Sequence, residues 1–153
     1  MPALKDALSG LTNIAQQLNE ESDSVNELIA TVEDAINQAK PGVEAWLSTY
    51  VEHEIASSTR YDEDRGCDVR SYWVIGYGPA GGENWGILAR QDEVDAKEEN
   101  PTPRLISFVK SLSACPRNIR IDAAPLLEVL VYQVRERAEE MLNSLREAKG
   151  KVE

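Results

Sequence analysis

Histidine and cysteine are scarce in this chain: His53 is the only histidine, and Cys67 and Cys115 are the only cysteines. A metal site with several histidine ligands is therefore excluded, and two cysteines without C-x-x-C spacing cannot alone form a four-ligand zinc site. A Cys–His nucleophile–base pair could use only His53, whose neighbouring glutamates point to the other face of a strand. We expect a structural or interface histidine, two reduced thiols, no metal and no cofactor.

Long apolar runs and an excess of positive charge are also missing. No run approaches the roughly 20 residues that span a bilayer, and Lys5 and Asp6 interrupt the start of the chain where a signal peptide would be apolar. Sixteen basic against 27 acidic side chains give a net charge of −11, which repels phosphate backbones and anionic lipids. We expect a cytoplasmic protein with neither a nucleic-acid nor a membrane partner.

Two motifs resemble ligand sites but lack the required context. Gly76–Gly81 fits the letters G-x-G-x-x-G, yet a strand follows it instead of the helix that would hold a dinucleotide, so a hairpin turn is expected. The acidic runs 62–64 and 92–95 lack the alternating ligands and the bidentate glutamate of an EF-hand. We expect solvated loops at both runs.

The first forty residues carry an uninterrupted heptad pattern of apolar side chains, which predicts a long helix over 1–40. Pro2 is tolerated in a first helical turn, and Lys40-Pro41-Gly42 is a typical stop. Such a helix is about 55 Å long, well beyond the ~30 Å width of a small domain, so part of its seam needs another helix. The seam comprises Leu4, Leu8, Leu11, Ala15, Leu18, Ser22, Val25, Ile29, Val32, Ile36 and Ala39.

A helical hairpin is the alternative for this segment. Residues 19–24 are polar, and Ser24–Glu27 has the form of a capping box. However, the heptad phase continues through the polar stretch, and no glycine or proline makes a turn there. We favour one continuous helix with Ser22 as its single polar seam position.

After the stop, the apolar period changes from 3.5 to 2, which predicts strands joined by loops and turns. The predicted strands are 43–55, 68–78 and 85–90. The predicted connections are a charged loop at 57–66, a glycine-rich turn at 79–84 and an exposed loop at 92–103. Segment 104–112 fits either a strand or a helix, and we favour a short fourth strand.

The last segment is again helical. Pro116 opens a short helical turn, and Asp122 with Pro125 marks the start of a long helix that Gly150 ends. Its apolar face is wider than a two-residue seam, as in a helix that packs on a sheet and on another helix. The seam consists of Leu127, Val131, Val134, Ala138, Met141 and Leu145, widened by Leu126, Leu130 and Leu142.

These elements predict an α+β fold: a long N-terminal heptad helix, a small antiparallel meander of three to four strands and a long C-terminal helix. We divide the chain into an oligomerising helix at 1–40, a sheet at 43–112 and a helical segment at 116–150, with 43–150 forming one compact domain. The terminal helices are expected to pair with each other or with a second copy, most simply as a homodimer. The expected interface is Leu4, Leu8, Leu11, Leu18, Val25, Ile29, Val32, Ile36, Val134, Met141 and Leu145.

Aromatic and basic residues suggest one candidate ligand site. An anionic ring-containing ligand such as a nucleotide could stack on the rings and pair with arginines at a helix entry. The candidate residues are Trp73, Tyr77, Trp85, Arg117 and Arg120. The alternative is that the rings belong to the sheet core and the arginines pair with acids.

No nucleophile, base and orienting residue can be placed together, so an enzyme is the least favoured class. The favoured function is a non-enzymatic homo-oligomer that acts on a protein partner as an adaptor, inhibitor or chaperone-like factor. The second hypothesis is a protein that binds or sequesters the small anionic ligand.

Overall fold

The computed structural model describes residues 2–47, 51–96 and 102–152, and it has the predicted α+β arrangement. Helix α1 is Pro2–Ala39, α2 is Arg117–Ala123 and α3 is Leu127–Val152. The sheet lies between α1 and the two later helices in the sequence. The expected long helix at each end and antiparallel sheet in the middle are confirmed.

Helix α1 is continuous, so the helical hairpin considered for its polar stretch does not form. Its end has the predicted chemistry. The backbone of Lys40 donates to the carbonyl of Ile36, Lys40 itself adopts a positive φ of 50°, and Gly42 follows at 64°. A positive φ cannot continue a right-handed helix, and Pro41 removes a donor at the same point.

The sheet contains three long strands and three strands of two residues, all antiparallel. The strands are β1 Ala45–Trp46, β2 Ile55–Asp62, β3 Cys67–Gly81, β4 Asn84–Asp95, β5 Arg104–Leu105 and β6 Lys110–Ser111. Strands β3 and β4 form the centre of the sheet; β1 and β2 both pair with β3, and β5 and β6 both pair with β4. The three to four predicted strands include β3, β4 and the segments that hold the short strands, but they miss β2, most of which falls in the predicted loop 57–66.

One face of the sheet meets the helices and forms the main core. The paired residues Ile75 and Ala89 lie at its centre, and both are fully buried. The opposite face holds a smaller cluster of Tyr72, Val74 and Val94, against which Trp46 packs. The helices contribute Ile29, Ile36, Ile119, Ala123, Leu127, Leu130 and Val134 to the main core.

The open edge of β4 is covered by α1. The carboxylate of Glu33 accepts the backbone N–H of Ile87 at 2.9 Å, and the amide of Asn37 donates to the carbonyl of Trp85 at 3.0 Å. Because these two side chains are one helical turn apart, they reach β4 backbone groups two residues apart. An exposed strand edge invites pairing with other chains, so this contact both positions α1 and protects the sheet.

Two predicted loops are instead parts of strands. The first half of the charged loop at 57–66 belongs to β2, and the start of the loop at 92–103 belongs to β4. Both segments are acidic, as loops often are, but arginines neutralise these carboxylates. Asp62 pairs with Arg60 and Arg65 of its own segment. Glu93 pairs with Arg60 and Arg65, and Asp95 pairs with Arg104. Residues 97–101 of the second predicted loop lie outside the described residues.

The predicted strand 43–55 is much shorter than expected. Only Ala45–Trp46 pairs with β3, and Val51–His53 forms a 3₁₀ turn; residues 48–50 lie outside the described residues. Gly76 lies opposite Trp46, and a Cβ on it would overlap the indole ring and the carbonyl oxygen of Ala45. Glycine at this position therefore lets β1 and its tryptophan lie against β3.

The last two predicted segments, 104–112 and the long C-terminal helix, have different boundaries in the structure. Segment 104–112 forms the two short strands β5 and β6 instead of one strand. The long last helix begins at Leu127, because a separate helix and a 3₁₀ turn at Ala124–Leu126 that contains Pro125 precede it. It continues through Gly150 to Val152.

Candidate functional site

The first half of α1 is not covered by the rest of the chain. Residues 2–18, called the N-terminal arm, are all exposed apart from a half-buried Ala15. The buried part of α1 starts at Ser22 and continues through Ile29 to Ile36. The arm therefore presents an uncovered row of large apolar side chains, each at least 43% exposed: Leu4, Leu8, Leu11, Ile14 and Leu18.

The second half of α3 is equally uncovered. Residues 139–152, called the C-terminal arm, are all exposed. Burial ends near Val134, which is in the core, and Ala138, which is half-buried against it. Met141, Leu142 and Leu145 continue the same apolar row into solvent.

The two arms leave opposite ends of the packed helices. Along α1, the first contact is between Asn19 and Arg117 of α2 at 2.8 Å, and α3 residues Val131 and Val134 face the segment near Ala39. Successive residues along α1 therefore lie first beside α2 and then beside the start of α3, so α1 runs in the same direction as the chain from α2 into α3. The N-terminal arm extends before this contact region and the C-terminal arm extends after it, so they cannot cover each other within one chain.

An apolar groove lies where the C-terminal arm begins. It has a volume of about 360 Å³ and separates the end of α1 from the first turns of α3. Its walls are almost wholly apolar, with Arg135 as the only charged side chain. The lining residues are Thr31, Val32, Ala35, Ile36, Ala39, Pro41, Val131, Val134 and Arg135.

The predicted interface residues thus divide into two groups. Ile29, Ile36 and Val134 are buried in the chain's own core, and Val25 and Val32 pack against it. The remaining six are exposed on the arms: Leu4, Leu8, Leu11, Leu18, Met141 and Leu145. Only these six exposed residues of the predicted interface are therefore available for self-association through the arms.

A second exposed apolar surface is the segment 105–109 between β5 and β6, called the apolar loop. Phe108, the only phenylalanine of the chain, is 92% exposed. The loop is held at the edge of β4: Ile106 N donates to the carbonyl of Gln91 at 2.9 Å, and Ser107 Oγ accepts from Gln91 N at 3.1 Å. Three apolar neighbours, Leu105, Ile106 and Val109, are also exposed.

The predicted aromatic residues all lie on the helix-facing side of the sheet. Tyr77 and Trp85 form a tilted pair with ring centroids 5.6 Å apart, and the Tyr77 hydroxyl donates to Asn37 at 2.5 Å. Burial, with the nearby charge of Glu33 as a smaller contribution, raises the pKa of Tyr77. Trp73 lies further along β3, where the ammonium group of Lys110 covers its ring at 5.2 Å.

The predicted arginines are not brought to these rings but hold α1 against α2. Arg117 donates to Asn19, and Arg120 donates to Asn26 and to the carbonyl of Cys115. Asn26 and Asn37, which contacts Tyr77, are eleven residues apart on α1, or about 16 Å along its axis. The structure therefore places arginines and the Tyr77–Trp85 pair at separate positions along the helix.

A cleft of about 360 Å³ does lie beside the aromatic pair. Trp85 and Asn37 form one wall, and Lys40 and Glu83 add one charge of each sign. Gly42 and Asn84 complete the lining. This cleft has both polar and apolar walls, and its cation, Lys40, is not among the predicted ligand residues.

Sequence reasoning missed a charged cluster at the far end of the helix-facing side of the sheet. Glu93 is 4% exposed, and its carboxylate is 2.7 Å from Arg65, 3.5 Å from Arg60 and 3.6 Å from Arg104. Asp95 lies 2.8 Å from Arg104. The spacing of Glu93 and Asp95 by two residues was the available signal, since such residues share one face of a strand. Because acids and bases neutralise one another here, the cluster stabilises strand pairing.

The two cysteines and the histidine lie at different places in the fold. Cys115 is buried, its thiol donates to the carbonyl of Ser111 at 3.6 Å, and burial raises its pKa. A raised pKa keeps the thiol protonated and weakly nucleophilic near neutral pH. His53 ends the 3₁₀ turn, and Cys67 begins β3. Within the described ranges, no group of three or more His, Cys, Asp or Glu side chains could hold a metal ion.

No helix among the residues that the structure describes is long and apolar enough to cross a membrane. No family model, curated protein or solved structure matches this chain. Functional inference therefore depends on the surfaces described above.

Proposed function

We propose that this protein is a non-enzymatic homodimer that joins through its two helical arms and binds a protein partner at the apolar loop. In this role it acts as an adaptor, an inhibitor or a chaperone-like factor. The observation that carries the proposal is that large apolar side chains are exposed side by side on the two arms and at residues 105–109. Contiguous exposed apolar surface of this kind is typical of interaction sites.

Self-association is supported by the charge of the arms. The whole chain has a net charge of −11, yet Lys5 and Asp6 are the only charged residues between positions 2 and 18. The N-terminal arm can therefore approach a second copy without adding to the repulsion between two acidic chains. Complete burial of a leucine side chain contributes about 1.5–3 kcal/mol, so a few arm residues can offset the entropy lost on association.

Binding of a protein partner is supported by the apolar loop. Phe108 is exposed, while the backbone beside it is tied to β4 through Gln91. A preorganised loop loses less conformational entropy on binding than a free one, and aromatic anchors are common at the centres of interfaces. The loop belongs to neither arm and lies at the edge of β4, so binding of a partner there is proposed as a function distinct from dimer formation.

The experiment combines solution mass with capture. We expect light scattering to give the mass of two chains, and immobilised protein to capture a specific protein from a native lysate. Phe108→Ser should lower that capture at least tenfold while leaving the mass unchanged. Tyr61→Ser is the matched control, because Tyr61 is another exposed aromatic residue and lies on β2, away from the loop. A monomeric mass, or equal capture by both variants, would contradict the respective half of the proposal.

A small anionic ring-containing ligand is the second candidate, favoured by the cleft beside Trp85. Such a ligand could stack on the indole ring while its negative charge pairs with Lys40. A nucleotide panel should then raise the melting temperature, and Lys40→Ala should remove the shift. Lys5→Ala, on the N-terminal arm, is the control. If no nucleotide raises the melting temperature of the unchanged protein or of Lys5→Ala, the second candidate is wrong.

A further inference from the structure

We propose that the dimer is formed by exchange of arms: the N-terminal arm of each copy lies antiparallel along the C-terminal arm and groove of the other. This inference rests on the self-association proposed above and specifies its geometry. Each copy then donates one arm and receives one, which gives two identical contacts related by a twofold axis.

The direction of the arms supports exchange. Within one chain the arms leave opposite ends of the packed helices, so each lacks an intramolecular partner. A second copy, rotated by a twofold axis perpendicular to α1, brings its N-terminal arm to the end where the C-terminal arm projects. The two helices then run in opposite directions side by side.

The spacing of the apolar residues fits this pairing. Leu4 to Leu18 and Val131 to Leu145 both span fourteen residues, or about 21 Å of helix. Read in opposite directions, both seams have the same intervals of four, three, four and three residues. The aligned pairs are Leu4 with Leu145, Leu8 with Met141, Leu11 with Ala138, Ala15 with Val134, and Leu18 with Val131.

Side-chain size is also complementary in the middle of this alignment. The large Leu11 meets the small, half-buried Ala138, and the small Ala15 lies over the part of the groove that Val134 lines from the core. Alternation of large and small residues lets facing helices interdigitate. Pairing of two N-terminal arms with each other would leave the groove and the C-terminal row uncovered.

Charge favours an uncharged occupant. Four charged residues at the base of the C-terminal arm pair within α3: Arg135 with Glu139 at 3.0 Å and Arg137 with Glu140 at 2.8 Å. They require no counter-charge from the segment that covers the seam. The N-terminal arm, with Lys5 and Asp6 as its only charged residues, meets this requirement.

Cysteine cross-linking tests the pairing in the full chain. Leu8→Cys and Met141→Cys are made in separate chains that also carry Cys67→Ser, and buried Cys115 is left in place. After mixing and mild oxidation, we expect a disulfide-linked pair that contains one chain of each kind, at a yield at least fivefold above either variant alone. Asn13→Cys mixed with Met141→Cys is the control, because Asn13 lies off the seam of the same arm.

The outcomes separate this inference from the proposed function. A dimeric mass in which Leu8→Cys links to itself as readily as to Met141→Cys overturns arm exchange but keeps the dimer. Equal yields for Asn13→Cys and Leu8→Cys overturn the seam alignment. A monomeric mass overturns self-association itself.

Discussion

Gly86 shows how one missing side chain positions α1. A Cβ at this position would overlap the carboxylate of Glu33, which accepts the N–H of Ile87 at the edge of β4. Gly86→Ala should therefore displace Glu33 and leave that amide unpaired, at a cost of about 1–3 kcal/mol in the free energy of unfolding. Urea denaturation followed by circular dichroism measures this change.

Gly10→Ala provides the matched control for that substitution. Gly10 lies in the N-terminal arm with open space around the position of a new Cβ. Alanine in a helix is favoured over glycine by about 0.8–1 kcal/mol, so this variant should be slightly more stable. Equal destabilisation by the two variants would refute the role assigned to Gly86.

Ionisation of Tyr72 makes the free energy of unfolding depend on pH in the alkaline range. Burial, and then the charges of Asp92 and Glu54, raise its pKa above the ordinary value of 10, while Arg70 and Arg90 partly oppose the shift. Below pH 10 the tyrosine is protonated in both folded and unfolded chains, so the shift has no effect. Above it, the unfolded chain loses the proton first, and stability falls as pH rises through the folded pKa.

Tyr72→Phe should weaken this alkaline loss. We expect the free energy of unfolding of the variant to fall less between pH 9 and pH 11 than that of the unchanged chain. Denaturant titrations at several pH values test the difference. Parallel pH profiles would show that Tyr72 ionisation does not contribute.

At the scale of the element, Glu93 joins β4 to its neighbours through three arginines. Glu93→Gln removes the buried charge that these guanidinium groups share. Because the arginines are partly exposed and solvent screens them, we expect a loss of about 1–3 kcal/mol in the free energy of unfolding. Glu139→Gln, which breaks an exposed pair with Arg135, should cost at most about 0.5 kcal/mol. Thermal or urea unfolding measures both losses. Similar losses for Glu93→Gln and Glu139→Gln would contradict a stabilising role for the charged cluster.

Element prediction succeeded where a single periodicity dominated. The heptad of 1–40 and the alternation in 68–78 correspond to α1 and the middle of β3. It failed at the acidic ends of β2 and β4, which read as loops. At the end of β4, Glu93 pairs with Arg60 and Arg65, which lie far away in the chain, so no local window around β4 contains this compensation.

The candidate site was recovered in part for the same reason. Exposure of Leu8 and Met141 was anticipated from a seam too long for one globule. The separation of Arg120 from Trp85 was not, because it depends on where α2 and β4 each meet α1. Phe108 lies within the ambiguous segment 104–112 and was not singled out, since its exposure follows from the loop lying outside the sheet.

At the scale of the whole molecule, self-association should make thermal stability depend on concentration. A tenfold increase in protein concentration should raise the melting temperature, because only the folded state forms the dimer. Leu8→Glu places a charge in the apolar seam and should remove this dependence. Asn13→Glu, on the same arm, should keep it. Differential scanning calorimetry at two concentrations distinguishes these results, and a concentration-independent transition in the unchanged chain would contradict the proposed dimer.

The sequence by itself determined the α+β class, the single long helix at each end and the presence of an apolar row on both. These features follow from local periodicity, which sets which side chains share a face. Tertiary structure alone decided which part of each row is buried, that the two exposed parts project from opposite ends, and that buried acids pair with distant arginines. Such outcomes depend on contacts between residues far apart in the chain, and local pattern carries no record of them.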